Sequence, residues 1–511
     1  MNWNKFLKSS RFKYGTVSIV LTCGFIALVL ALNLLLSSLN LSAGLRVDLS
    51  EEEFASIGDD SKTILDSLFA ESEEYKITIN FCAARDLFES NVYVRYVRDL
   101  AEAYAEMYPD RISIKYLDIS RDPASVEKYL EQSGSTITAE NVIIEGKYHY
   151  RVLTFDAFYQ VNENNELYAF NGELKYTAAF LQCSKKEPQN VAFTVKHGES
   201  VTDSMKLKEI YLDAGYSVTD VDLSVEEIPE STRTLIIYKP TADFLGYDPA
   251  RPDAKSEIEK IEEFVAKYNN LLVFVDASTP ALPNLQEYLL EYWGIGYKPY
   301  HKLHDENKSL QGSDGYAIVG EYIGETDGYA YQVFKNAVSG SGEKSVFNNA
   351  VELIADESQA RKGVTVEHVI DTSADAVSRY TYKDGQTTIT EDSDPHAMPL
   401  MLMSRYMNYK SEGDTHYNTQ IYQYVLLVGS TDFASDDYLA KSYANSSLIS
   451  CAARLIDNER YNPDIKSRKL LSDSIEIESG TAKVLTVLIS AVAPVILLIA
   501  GIVVFIKRRH M

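Results

Sequence analysis

Four side chains, His197, Glu199, Asp276 and Asp432, stand where this chain can do chemistry at one place. Each directly follows, or lies within a few residues of, an apolar run that reads as a β-strand. Val191 to Val195 leads into His197-Gly198-Glu199. Leu271 to Val275 leads into Asp276, and Tyr424 to Val428 leads through Gly429 to Thr431 and Asp432. Parallel strands place their following loops on one side of a sheet, and open α/β sheets take their ligands there. A histidine close to carboxylates favours its charged form unless burial dominates. The expected chemistry is recognition of a ligand or a docked partner at one carboxyl edge. No nucleophile accompanies these groups, so turnover is not expected. The competing explanation is turn formation and helix capping, with Gly198 supplying a positive φ.

The other chemistry-bearing stretches do not develop into sites. Ser339 to Ser345 lacks the Gly-Lys step and the preceding strand of a phosphate loop and reads as a flexible loop. His301 and His304 flank Lys302 and Leu303 after Pro299, which favours a surface turn over a metal site. Asp392, Asp394 and His396 show no calcium-loop spacing, and no G-x-S-x-G elbow occurs. Cys23, Cys82, Cys183 and Cys451 form no CxxC or CxxH spacing, so neither zinc nor dithiol chemistry is indicated. No metal and no cofactor are expected.

The elements that must position the four residues are read from periodicity. Lys76 to Cys82 and Ile112 to Ile119 read as strands around a helix over Val92 to Met107, where Tyr93, Val97, Leu100 and Tyr104 share one face. Asp122-Pro123 opens a short helix, and Asn141–Glu145 with Tyr150–Phe155 closes as a hairpin. This β-α-β-α-β-β order resembles a thioredoxin-like domain without its cysteines, spanning 45–160. A connecting helix lies within 161–187. From Pro188 to about 475, strand candidates at 191–195, 217–221, 234–238, 271–275 and 424–428 alternate with helix candidates at 203–212, 256–268, 282–292 and 446–456. That is the pattern of a mostly parallel sheet covered by helices. Residues 300–420, rich in Gly, Asp, Ser and Tyr, read as an insertion or a third subdomain of unassigned fold.

The two ends differ from this body. Thr16 to Leu36 is an uncharged run within a span at 15–38, and Val484 to Ile506 is a second one closed by Lys507-Arg508-Arg509. Each is long enough to cross a ~30 Å hydrocarbon layer. Basic residues flank both, so the tails at 1–14 and 507–511 are expected to be cytoplasmic and the body extracytoplasmic. The net charge is −25; seven of the 49 bases lie in the acid-free ends, leaving 42 against 74 acids between them. Such a body repels nucleic-acid phosphates, and a nucleic-acid function is not expected.

Taken in order, these residues resemble the GldG-like auxiliary subunits of ABC transport systems. The features that carry the resemblance are Asp48-Leu49-Ser50 after the first span, Phe170-x-Gly172-Glu173, Thr177-Ala178-Ala179, and the strand ending His197-Gly198-Glu199. Leu272 to Asp276, Gly429-Ser430-Thr431-Asp432-Phe433, Asn445 and the Pro494-containing span complete it. The family usually has Gly-His-Gly-Glu, whereas Lys196 stands here in place of the first glycine. The resemblance implies a non-catalytic, membrane-anchored extracytoplasmic subunit working with a permease and a cytoplasmic ATPase. It also implies a flavodoxin- or amidotransferase-like second domain. The expected fold class is α/β, with two transmembrane helices flanking the thioredoxin-like and parallel-sheet domains. The rival expectations are a membrane-tethered hydrolase or amidotransferase-like enzyme at the His197/Glu199 edge, and a sugar- or peptide-binding module.

Overall fold

The computed structural model describes residues 54–470, apart from the short stretches 134–135, 162–166, 200–201, 251–252, 323–328, 340–341, 385–386, 412–417, 442, 457–464 and 466. The first sheet has the order β2-β1-β3-β4 and comprises β1 (Ile77–Phe81), β2 (Ile112–Tyr116), β3 (Asn141–Glu145) and β4 (Tyr150–Thr154). β1 runs parallel to β2 and antiparallel to β3. The helix Val92–Met107 packs Val97, Leu100 and Tyr104 into the core beside it, and Asn91 caps its start by accepting from the Tyr93 amide at 2.9 Å. Burial pushes the Cys82 thiol up to about 11 and the Cys183 thiol up to about 12. Such thiols are poor nucleophiles near neutral pH.

A small sheet of β5 (Tyr159–Val161), β6 (Leu167–Phe170) and a two-residue strand at Arg468–Lys469 precedes the helix Gly172–Ser184. Glu173 opens that helix and is buried. Its Oε1 accepts from the Gly58 amide at 2.7 Å and the Ser61 hydroxyl at 2.6 Å, while Arg468 donates to Oε2 at 2.7 Å. Arg468 also donates to the Ser56 carbonyl. The Phe-x-Gly-Glu stretch therefore clasps the beginning and end of the described chain. Further along the same helix, buried Lys175 pairs with Glu209 at 2.7 Å and Asp213 at 2.9 Å, tying it to the helix Met205–Asp213.

The largest sheet has seven strands. β7 (Asn190–Thr194), β8 (Ser217–Val221), β9 (Thr232–Tyr238) and β10 (Asn270–Phe274) are its first four in sequence. An excursion follows before the chain returns. It holds β11 (Ile295–His304), β12 (Ala317–Val319), β13 (Val346–Asn348), β14 (Val351–Ala355), β15 (Val364–Asp371), β16 (Val377–Asp384) and β17 (Thr387–Asp392). The long antiparallel pair β18 (Pro399–Ser411) and β19 (Asn418–Val428) closes the sheet, whose order is β15-β18-β19-β10-β9-β7-β8. β8, β7, β9, β10 and β19 are mutually parallel, with β18 and β15 antiparallel at one edge. In chain order the parallel strands run 2-1-3-4-5, so the order reverses between β7 and β9. Buried Val, Leu, Ile and Phe side chains alternate to the two faces of these strands and found a separate core on each.

Residues 300–420 are the largest departure from the sequence reading. They supply β15 and β18 to the main sheet and build a second, four-stranded sheet of order β14-β11-β16-β17. His301 and His304 lie in β11 rather than in a surface turn.

The membrane reading is corrected. Among the described residues no helix is long and apolar enough to cross a membrane. The candidate spans at 15–38 and 484–506 lie outside those residues. The observed class is an α/β fold of several sheets, with no membrane-spanning helix among the described residues.

Candidate functional site

His197, Glu199, Asp276 and Asp432 all follow the carboxyl ends of parallel strands, in two separate groups. β7 and β19 are three strand spacings apart, roughly 14 Å at ~4.8 Å per spacing. Each group is engaged by neighbouring protein groups.

At the reversal point, the imidazole of His197 is buried between two carboxylates. Nδ1 lies 3.2 Å from Glu199 Oε1, and Nε2 lies 3.0 Å from Glu257 Oε2. The ring stacks on Phe244 at 3.9 Å between centroids. With a carboxylate at each ring nitrogen, the imidazolium donates twice, whereas a neutral ring would turn a lone pair toward one of them. Burial opposes the charge, but Glu199 and Glu257 outweigh it and raise the His197 pKa. Burial likewise opposes ionisation of Glu199, yet the hydrogen bonds it accepts from His197 hold its pKa below the usual value. The His197 carbonyl accepts from the Thr241 and Ala242 amides at 2.8 Å each. Gly198 has φ +81°, and a Cβ there would meet Thr241 Oγ1 at 1.8 Å. Lys196 has φ +83°, a left-handed conformation that suits glycine better than lysine. The loops after β7 and β9 are thus packed against each other at the point where the strand order reverses.

At the other group, buried Asp276 is a junction. Its Oδ1 accepts from the Ser278 amide and hydroxyl at 2.7 and 2.5 Å, and its Oδ2 accepts from the Thr431 hydroxyl at 2.5 Å. The Tyr238 hydroxyl donates to the Thr431 carbonyl at 3.0 Å. Asp432, half-buried, accepts from the Asn348 amide group at 2.6 Å, and the Ser430 hydroxyl donates to the Asn348 carbonyl at 2.6 Å. Burial raises the Asp432 pKa, with the neighbouring Asp276 charge adding to it.

Asn348 ends β13, and Asn349 stands in the turn to β14. Asn349 accepts from the Ala277 amide at 3.0 Å and has φ +53°. Next to this junction, the loop after β10 and the second sheet border an open pocket of about 240 Å³. Ala277 and Ser278 border it from the loop, Asn349 and Tyr316 from adjoining turns, and Tyr300, Lys302, Arg379 and Thr381 from β11 and β16. Tyr300 is 51% exposed and also left-handed, with φ +66°. Two of the six non-glycine residues with positive φ among the described residues therefore lie in this pocket. Such strain concentrates at sites where the surroundings over-determine a conformation. None of the pocket residues except those next to Asp276 was legible beforehand, because they come from the unassigned 300–420 stretch. Glu257, the second partner of His197, sits at the first position of the helix Glu257–Ala266, whose Ser256 capping box was the only available signal.

A second groove of about 430 Å³ runs over Met205, Lys208, Leu212 and Asp220. Among the described residues no group of three or more His, Cys, Asp or Glu is placed to hold a metal ion.

No family model and no curated protein matches the chain. One solved structure to which it is similar is described as a cytoplasmic protein from Salmonella typhimurium. The identity is 12% over 52% of this chain and 98% of that one, with a TM-score of 0.29, a likeness too weak to carry an argument about fold, place or function. The GldG-like resemblance is corrected on these findings: neither comparison returns it, and neither assigns the thioredoxin-like or flavodoxin-like domain. With it are withdrawn the permease and ATPase partners, the anchoring through two helices, and the two-pass extracytoplasmic placement.

Proposed function

We propose that the protein is a recognition module that binds a small polar ligand without transforming it, in the pocket between the loop after β10 and the face of β11 and β16. The observation that carries this reading is the pocket itself: a concave, hydrogen-bonding site beside the carboxyl edge of a parallel sheet, with two strained residues in its wall. Asp276 and Asp432 take a positioning role. Through Ser278, Thr431 and Asn348 they fix the loops that shape the wall. His197 and Glu199 tie the neighbouring reversal point together and hold no ligand. The Ser278 hydroxyl is the nearest candidate nucleophile, and it donates to Asp276 with no imidazole among the pocket residues, which favours binding over acyl transfer.

The test is a thermal-shift panel of monosaccharides, amino acids and small carboxylic acids on the full-length protein and on Thr381→Trp. Thr381 is exposed on β16, so the indole fills the pocket at little cost to the fold. A compound that raises the wild-type transition and leaves the variant unmoved supports the reading. Equal shifts in both proteins contradict it.

A further inference from the structure

We infer that the pocket selects a carboxylate carried on a compact ring; this deepens the recognition reading and rests on it. A row of charges crosses three strands. Lys302 on β11 stands directly opposite Arg379 on β16, and Arg379 stands directly opposite Asp392 on β17. Like charges facing each other across a strand pair destabilise it. Asp392 answers only one of the two cations. It accepts from Arg379 Nε at 2.8 Å and Nη2 at 2.9 Å, a bidentate pair that holds its pKa low. Arg379 also donates from Nη1 to the Tyr316 hydroxyl at 2.8 Å, which fixes the guanidinium and the ring together.

Lys302 is left with the Tyr316 ring alone. Its Nζ lies 4.1 Å from the ring centroid, and among the described residues no carboxylate lies within ion-pair distance of it. Asp276, behind the wall, spends its oxygens on Ser278 and Thr431. In a chain with a net charge of −25, an unanswered ammonium inside a concavity is an uncommon arrangement, and an anionic ligand would answer it.

The remaining wall suits what would carry the charge. Tyr300 and Tyr316 offer ring surfaces, while Asn349, Ser278 and Thr381 offer amide and hydroxyl groups. About 240 Å³ is a space for one ring rather than a chain of them. A sugar acid and an aromatic acid share this chemistry.

Two pairs of probes separate these sources and test the charge. Glucuronate is compared with glucose, and benzoate with benzyl alcohol, by calorimetric titration of the full-length protein. In at least one pair the acid should bind about tenfold or more tightly than its neutral twin. Lys302→Met, which keeps the stem over Tyr316, should erase that preference, while Lys298→Met, whose lysine pairs with Glu352, should preserve it. Raising salt on the wild type should weaken the acid alone, a readout that stands if Lys302→Met folds poorly. Equal affinities within both pairs, a preference that survives Lys302→Met in folded protein, or no binding by either acid overturns the inference. If the neutral twins bind and Thr381→Trp blocks them, the recognition reading stands and the carboxylate inference falls. If Thr381→Trp leaves every affinity unchanged, the recognition reading itself falls.

Discussion

His197 Nε2 lies 3.0 Å from the carboxylate of Glu257, 60 residues away in sequence. Glu199 takes the opposite ring nitrogen, so a buried imidazolium links the loop after β7 to the start of the helix Glu257–Ala266. Because the folded pKa of His197 is raised, its contribution to stability is complete below the ordinary value of ~6.5 and is lost as pH rises through the folded value. Chemical denaturation of the wild type should therefore show stability declining above ~6.5, with the decline reduced in His197→Gln. At pH 6, His197→Ala leaves two carboxylates facing each other and should cost about 3 kcal/mol.

The turn around this histidine should respond to two substitutions in opposite directions. Gly198→Ala places a Cβ on Thr241 in a left-handed backbone and should cost about 2–3 kcal/mol. Lys196→Gly relieves a left-handed lysine and should stabilise by roughly 0.5–1 kcal/mol, even after the greater freedom of glycine in the unfolded chain. Urea midpoints of the two variants at constant slope check both signs.

Glu173 joins Gly58, Ser61 and Arg468 on one buried carboxylate. Glu173→Ala strands a guanidinium and two donors and should cost about 3–5 kcal/mol. Proteolysis should then begin near residues 56–61 and 468 before it reaches the central sheet, because these are the segments that Glu173 holds.

The junction behind the pocket yields a contrast in pH. Burial raises the Asp432 pKa, so the stability linked to this group is present at low pH and is lost as pH rises past the ordinary carboxylate value of ~3.9. Asp432→Asn should raise the melting temperature at pH 7 and lose that advantage toward pH 4. Thr431→Val removes the donor to Asp276 Oδ2 and should cost about 1–3 kcal/mol.

Much of this framework was legible wherever one period ran uninterrupted. The helix at Val92–Met107, the hairpin of β3 and β4 and all five parallel strands stand within a few residues of their sequence limits, although β19 begins six residues earlier than its apolar core suggests. The helix read at 256–268 stops at Ala266, and Tyr268 turns left-handed before β10. Residues 300–420 stayed unread because β12 and β13 are only three residues long and other strands there carry polar residues in place of a clean apolar alternation; β17, TTITED, is one example. That stretch supplies Asn348, Asn349, Lys302 and Arg379, so the pocket could not be assembled from sequence. The four expected residues were found by their position after strands, which fixes the sheet end but not the partners. Phe244, which stacks on His197, follows no motif, and Glu257 is marked only by the Ser256 capping box that opens its helix.

The most direct measurement is a crystallographic fragment screen of the full-length protein with small polar and carboxylate-bearing rings. Bound fragments are expected to gather between Ser278, Tyr300, Asn349 and Thr381, with acids oriented toward Lys302. An empty pocket, with fragments instead along the groove of Met205, Leu212 and Asp220, would contradict recognition at the carboxyl edge.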